Sequence, residues 1–234
     1  MEAVNHVEGH MLSVLARPNN FKTLKLKNKT LNTNNQSLIF PVLSFVASGG
    51  TTQLILINKV GDYKILAQTI DDTLGEALDK AARMLGLGYP GGAVLEKLAK
   101  DGDPNAYSLP IPLIGQEERM EFSYSGLKTA MYKIVENEKP LTAEKIQGLA
   151  ASFQYIAFQH AERLIIKAMK NYPVKNFFFG GGVSANIELR KRLRKICKER
   201  KIKMRNCSIK ELLLSSIFSL LLLLLFLDHS EHLH

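Results

Sequence analysis

The stretch Lys175-Asn176-Phe177-Phe178-Phe179-Gly180-Gly181-Gly182-Val183-Ser184-Ala185-Asn186 decides the class of fold. Lys175 to Phe179 reads as a short core strand, bounded by glycines that end it. The residues from Ala185 to Lys201 read as a strongly basic helix. A strand that passes through glycines into a helix is the elementary unit of an α/β protein. At such a junction the glycines permit a close backbone approach, and the helix start presents free amides that favour an anion. The Asn186 side chain is placed there to hydrogen-bond a sugar or a base. The stretch is neither a Walker loop nor a Rossmann fingerprint.

Working back from it, Thr142 to Tyr172 reads as one long, largely buried helix, with Ile146, Leu149, Phe153, Ile156, Ala157, His160, Leu164, Ile165 and Met169 turned inward. Phe122-Ser123-Tyr124-Ser125-Gly126-Leu127-Lys128 leads into a helix that runs to about Glu136, and Asp101 to Glu118 is a loop with several prolines and glycines. Leu74 to Leu85 and Ala93 to Lys100 have helical spacing on either side of a Gly86–Gly92 break. Three strands precede them, over Phe40–Ala47, Thr52–Val60 and Tyr63–Thr69, joined by turns at Ser48-Gly49-Gly50 and Gly61-Asp62. Arg17 to Ser37 is rich in Asn, Lys and Thr, a composition that buries little and reads as a mobile loop. Residues 2–16 read as a short helix. No internal repeat is present.

The chain has 234 residues, enough for one large or two small domains, and an ordinary apolar fraction of 46%. Its formal charge of +9 points to an anionic partner or to a merely solvated basic surface. Most of the residues from Arg190 to Arg205 are Lys or Arg, with Glu199 the only acid. That density could grip a phosphate backbone or line a solvated helix face. Cys197 and Cys207 have no metal-type spacing and imply no disulfide framework, which fits a reducing compartment. The acidic, polar start at Met1-Glu2-Ala3-Val4-Asn5-His6 is not a signal peptide.

Three further motifs carry chemistry. His6-Val7-Glu8-Gly9-His10 sets two imidazoles one helical turn apart, a spacing that can chelate one transition metal but also occurs on ordinary surface helices. Ser48-Gly49-Gly50-Thr51-Thr52 offers amides to a phosphate or acyl-phosphate oxygen, or is a plain hairpin turn. Asp79, on a helix before Tyr89-Pro90-Gly91-Gly92, can accept hydrogen bonds from ribose hydroxyls or an amine, or can be a surface acid. Ser123, Tyr124, Ser125 and Lys128 add polar groups on a loop without a triad pattern.

In this fixed order the motifs resemble those of the TsaD family, the tRNA N6-adenosine threonylcarbamoyltransferases, once called glycoproteases or O-sialoglycoprotein endopeptidases. The resemblance runs from about Val4 to about Arg205. It implies an α/β protein with the actin-like ATPase and sugar-kinase fold, two lobes around a nucleotide cleft. It also implies transfer of threonylcarbamoyl from threonylcarbamoyl-adenylate to N6 of adenosine 37 in tRNAs that read codons starting with A, with release of AMP. By the resemblance, His6 and His10 are metal ligands for iron or zinc. Val46, Ala47, Ser48, Gly49 and Gly50 form the first substrate loop, Asp79 and Gly92 hold the ribose side of the adenylate, and Asn186 contacts the nucleotide. The implied partners are tRNA, a paralogous pseudo-enzyme subunit and a small ATPase. The implied compartment is the cytoplasm, or the mitochondrion for an organellar homologue.

The departures from the family are specific. The first residues match an interior point of the family, so the first lobe is expected to be incomplete. Thr51 stands where the family usually has His or Asn. After Arg205 no residue corresponds to the aspartate that completes the family's metal site. Residues 1–205 are therefore expected to be a partial catalytic region and residues 206–234 a non-homologous tail. The tail's leucine run from Leu212 to Leu227 is short of the roughly 20 residues of a membrane span and fits a frame-shifted or mis-spliced coding end better than a tail anchor. The alternative expectation is a non-catalytic paralogue that binds tRNA or a sister subunit, with the tail as a membrane tether.

Overall fold

A computed structural model of the chain describes residues 39–206. The expected helix with His6 and His10, the Asn-rich segment and the leucine run lie outside the described residues. Among the described residues six strands form one mixed sheet: β1 (Val42–Ala47), β2 (Thr52–Lys59), β3 (Asp62–Thr69), β4 (Glu121–Phe122), β5 (Asn176–Gly180) and β6 (Lys203–Asn206). Their spatial order is β4-β3-β2-β1-β5-β6. The meander β1-β2-β3 is antiparallel, as its short turns require, whereas β1–β5, β5–β6 and β3–β4 pair in parallel. β1 lies between β2 and β5, and all six of its residues are buried. The Val-Leu-Ser-Phe-Val-Ala run suits a strand covered on both sides.

The described residues also form five α-helices: α1 (Leu74–Met84), α2 (Gly92–Ala99), α3 (Ser125–Asn137), α4 (Ala143–Asn171) and α5 (Ile187–Glu199). Their starts are written in the sequence. Thr73 Oγ1 accepts the Glu76 N–H at α1, and Thr142 Oγ1 accepts the Lys145 N–H at α4. The apolar stripes of the helices meet Leu43, Phe45, Leu54, Leu56, Phe177 and Phe179 in one large core. The alternate residues Val42, Val46, Ile55, Ile57 and Phe178 form a second, smaller cluster on the other sheet face, and no helix residue of the described region joins it.

Within residues 39–206 the expected elements hold, apart from the following differences. β4 is only two residues long and carries no period to read. β6 owes its extended form to pairing with β5, since Lys-Met-Arg-Asn has no strand propensity of its own. Gly182–Ala185 is a 3₁₀ turn, so α5 begins at Ile187, after its cap, and not at Ala185. At its far end α5 stops at Glu199, because Lys201 takes a left-handed conformation. Among the described residues no helix is long and apolar enough to cross a membrane.

Candidate functional site

The carboxyl ends of β1, β3, β4 and β5 lie along one edge of the sheet, because these strands run in the same direction. Ligands of open α/β sheets bind in the crevice outside such an edge. Here the loops after β1 and β5 and the starts of α1, α2 and α5 form a closed set of contacts around that edge.

The first contact is the turn after β1. Ser48 N–H donates to Thr51 O at 2.7 Å, and Gly50 N–H to Ser48 Oγ at 3.2 Å, which shapes a tight loop. Thr73, the α1 cap, donates its hydroxyl to Gly49 O at 2.9 Å, and Thr52 Oγ1 accepts the Leu74 N–H at 2.8 Å. Gly75 packs so closely on Ser48 that a Cβ there would overlap its carbonyl. The start of α1 is thereby fixed beneath the loop. Gly49 and Gly50 are exposed, and open space lies where their side chains would be.

The second contact is the glycine run after β5. Gly181 adopts φ +83°, and a Cβ there would overlap Ala47 O, so only glycine lets the two loops meet. Gly182 beside it is exposed and faces open space. The third contact joins α1 to α2. Asp79 Oδ1 accepts the N–H groups of Gly91 at 3.0 Å and Gly92 at 2.8 Å. The last closes the ring: Glu96 of α2 accepts the Ile187 N–H at 2.6 Å through Oε1.

Those sequence-predicted residues that are described therefore converge, but not all as ligand groups. Val46 and Ala47 are fully buried strand residues that floor the loop and offer no side chain to a ligand. Ser48, Gly49 and Gly50 form its mouth. Asp79 and Gly92 are hydrogen-bonded to each other, so one carboxylate oxygen already organises the turn. Asn186 is 7% exposed and serves as the α5 cap: its Oδ1 accepts the Leu189 N–H at 2.9 Å, and its Nδ2 donates to Gln154 Oε1 at 3.2 Å. The anion expected at the start of α5 is supplied from within, by Glu96.

A second polar cluster at the same edge was not legible as a unit. Asp71 accepts the Ser123 hydroxyl at 2.5 Å and the Tyr124 N–H at 2.8 Å, tying the loop after β3 to the start of α3. Its neighbour Asp72 pairs at 2.6 Å with both Lys80 and Lys128. Burial alone would raise the Asp72 carboxyl, but the two lysine hydrogen bonds outweigh it and hold it below the ordinary carboxylate range. His160, 2% exposed on α4, accepts the Ser123 N–H at Nε2 (3.1 Å). Burial depresses its imidazole to about 4 against the opposing charge of Asp71, so it is neutral. Tyr124 is fully buried, and burial pushes its phenol upward, so it is not the surface polar group its loop suggested. Lys128 stands on α3, not on a loop. The Asp-Asp pair before α1 was the available signal for this cluster.

Among the described residues no group of three or more His, Cys, Asp or Glu could hold a metal ion. His6 and His10 lie outside the described residues.

The model of one protein family, TsaD, tRNA N6-adenosine threonylcarbamoyltransferase, matches residues 2–212. A tRNA N6-adenosine threonylcarbamoyltransferase of Mycoplasma capricolum subsp. capricolum is 39% identical over 202 residues, covering 86% of this chain and 57% of that protein. The relative from Orientia tsutsugamushi is 41% identical over 202 residues, covering 82% of this chain and 53% of that protein. The relative from Rhizobium leguminosarum bv. trifolii is 38% identical over 203 residues, covering 83% and 50%. The chain thus spans about half the length of the curated relatives it matches. Among solved structures, full-length HypF in its phosphate- and nucleotide-bound form aligns with a TM-score of 0.60 at 12% identity, over 87% of this chain and 39% of that one. That likeness is one of fold.

Proposed function

Since the chain belongs to the tRNA N6-adenosine threonylcarbamoyltransferase family and has the mixed α/β architecture of the actin-like ATPase and sugar-kinase fold, we propose that its loop edge receives threonylcarbamoyl-adenylate and that the threonylcarbamoyl group passes to N6 of adenosine 37 of tRNA. The observation that supports this reading is the convergence of the Ser48–Gly50 loop, the Asp79–Gly92 pair and the Gly180–Asn186 run, distant in sequence, on one edge of the sheet. Gly49, Gly50 and Gly182 leave that edge free of side chains, which suits a ligand held by backbone.

In the proposed transfer the lone pair of adenosine N6 attacks the carbamoyl carbon and the bond from that carbon to the phosphate oxygen breaks. AMP leaves with the bonding pair, and the amine gives up a proton. Ser48 and Gly50 spend their N–H groups within the turn, so the Gly49 amide would stabilise the carbonyl or phosphate oxygen as charge develops there. Asp79 would use its carboxylate toward the ribose while Oδ1 keeps the Gly91–Gly92 turn in shape. Asn186 would set the height of the α5 start against the nucleotide through its cap.

The proposal includes a divalent ion, iron or zinc, held by His6 and His10. Such an ion would act as a Lewis acid toward the carbamoyl carbonyl or the phosphate. The proposal takes no metal ligand from the described residues, among which no group of three or more His, Cys, Asp or Glu could hold an ion. It also includes a paralogous subunit and a small ATPase as partners, and the cytoplasm as compartment. The test is reconstitution: the full chain, tRNA and threonylcarbamoyl-adenylate, with and without the partner subunits. Nucleoside mass spectrometry should show threonylcarbamoyladenosine in the tRNA, and its absence from every combination would remove the reading.

A further inference from the structure

The net positive charge of the described region is confined to one place. Residues 39–174 carry 14 Lys or Arg against 15 Asp or Glu, whereas residues 175–206 carry 11 against two. The second set lies on α5 and the strands beside it, at the β6 end of the sheet.

Within α5 the charge is sorted by face. Leu189, Leu193, Ile196 and Cys197 are buried against the core, and Arg192 is paired with Glu162 at 2.7 Å. Lys191, Arg194, Lys195 and Lys198 are exposed at intervals of three and four residues, and none pairs with an acid among the described residues. Lys201 and Lys203 continue the line past the end of the helix, beside Lys175, whose carbonyl accepts the Lys203 N–H at 2.9 Å. Like charges at these helical spacings repel, so the fold gains nothing from this row. An ordinary solvated face mixes both signs about evenly, whereas this one sets only Glu188 and Glu199 beside its cations.

We propose that the row of Lys191, Arg194, Lys195, Lys198, Lys201 and Lys203 is a docking surface for the phosphate backbone of RNA. From Lys191 to Lys198 the helix rises about 10 Å. A duplex backbone presents one charge per roughly 1.7 Å of axis, so several phosphates fall within reach. A protein partner is the weaker match, because protein interfaces have an apolar centre, and Ile187 at the first turn is the one large exposed apolar residue on α5. The row starts beside the Gly180–Asn186 loop and runs away from it, so RNA lying along α5 has one end at the candidate site. The inference deepens the proposed tRNA reading, but its test does not depend on turnover.

The experiment is fluorescence anisotropy of the full chain with a fluorescein-labelled, unmodified tRNA transcript over a series of salt concentrations. The Lys191→Gln/Arg194→Gln/Lys195→Gln/Lys198→Gln variant should bind at least tenfold more weakly at low salt. Its slope of log affinity against log salt should be shallower by about three to four, near one per cation removed. A variant with the three lysines changed to Arg should keep the parental slope, which separates charge from folding. Unchanged affinity and slope in the Gln variant would overturn the proposal. So would displacement of the tRNA by poly-glutamate as readily as by unlabelled RNA, which assigns the row to an acidic protein. Loss of tRNA binding in the Gln variant of a chain that transfers nothing supports the surface and removes only the transferase reading.

Discussion

Glu96 Oε1 accepts the Ile187 N–H at 2.6 Å, so the first turn of α5 draws its negative partner from α2, 91 residues earlier in the chain. The amides of a helix start carry a partial positive charge, and a carboxylate there is stabilising. Glu96→Ala is expected to lower stability by about 1–2 kcal/mol, and Glu96→Gln by less, because the amide oxygen still accepts. Urea melts of both variants at low and high salt check this. Equal midpoints for Glu96→Ala and the parent would show that the contact is idle.

Two adjacent glycines should respond oppositely. Gly181→Ala combines φ +83° with a Cβ overlapping Ala47 O, and should cost about 3 kcal/mol or prevent folding. Gly182→Ala puts its methyl into open space and should shift the urea midpoint by no more than about 0.5 kcal/mol. If the two variants melt alike, the loop after β5 does not seat on β1 as described.

Asp79 separates architecture from binding. Asp79→Asn keeps an acceptor for the Gly91 and Gly92 amides, so thermal stability should change little, whereas Asp79→Ala leaves both amides unpartnered and should cost roughly 1–3 kcal/mol. AMP affinity, read by calorimetry, should drop about tenfold in both, if the carboxylate addresses the ribose. Parental AMP affinity in Asp79→Asn would make the acid purely a turn anchor.

His160 sets a pH dependence. Its folded pKa, about 4, lies below the ordinary value of 6.5, so the unfolded chain binds the proton first as pH falls. Stability from this residue is complete above about pH 6.5 and is lost progressively down to about 4. Between pH 7 and pH 5 the loss should be about 2 kcal/mol, on top of the general acid response. His160→Gln should be less stable at pH 7 yet lack this increment. A parental pH slope in His160→Gln would reject the account.

Much of the fold was legible because its signals are local. Thr73 and Thr142 stand one residue before their helices, β1 is an apolar run broken only by Ser44, and α4 holds its stripe across 29 residues. The site was legible as a set of positions and less so as a set of roles. Asp79, Asn186 and the glycines lie along one edge, but which atoms are already engaged depends on partners far along the chain: Gln154 for Asn186, and Glu96 for the α5 amides. The Asp71–Ser123–His160 cluster escaped for the same reason. Each member is ordinary in its own segment, and only packing brings the three together. β6 left no trace, since its extended form is imposed by β5.

The placement of β1 has a kinetic consequence. On one flank it meets β2 across a short turn, and on the other it waits for β5, whose Asn176 reaches back 137 residues to Ile39 O. Hairpins close in microseconds, whereas pairings between remote segments pay for a long loop before any contact rewards them. The Ser48–Gly50 turn can therefore take shape early, while its other wall arrives only when α4 and β5 dock. Until then an apolar central strand stands with one side unpaired, a template for association with other chains. In this protein the remote β1–β5 pairing both completes the candidate edge and covers the open side of the central strand.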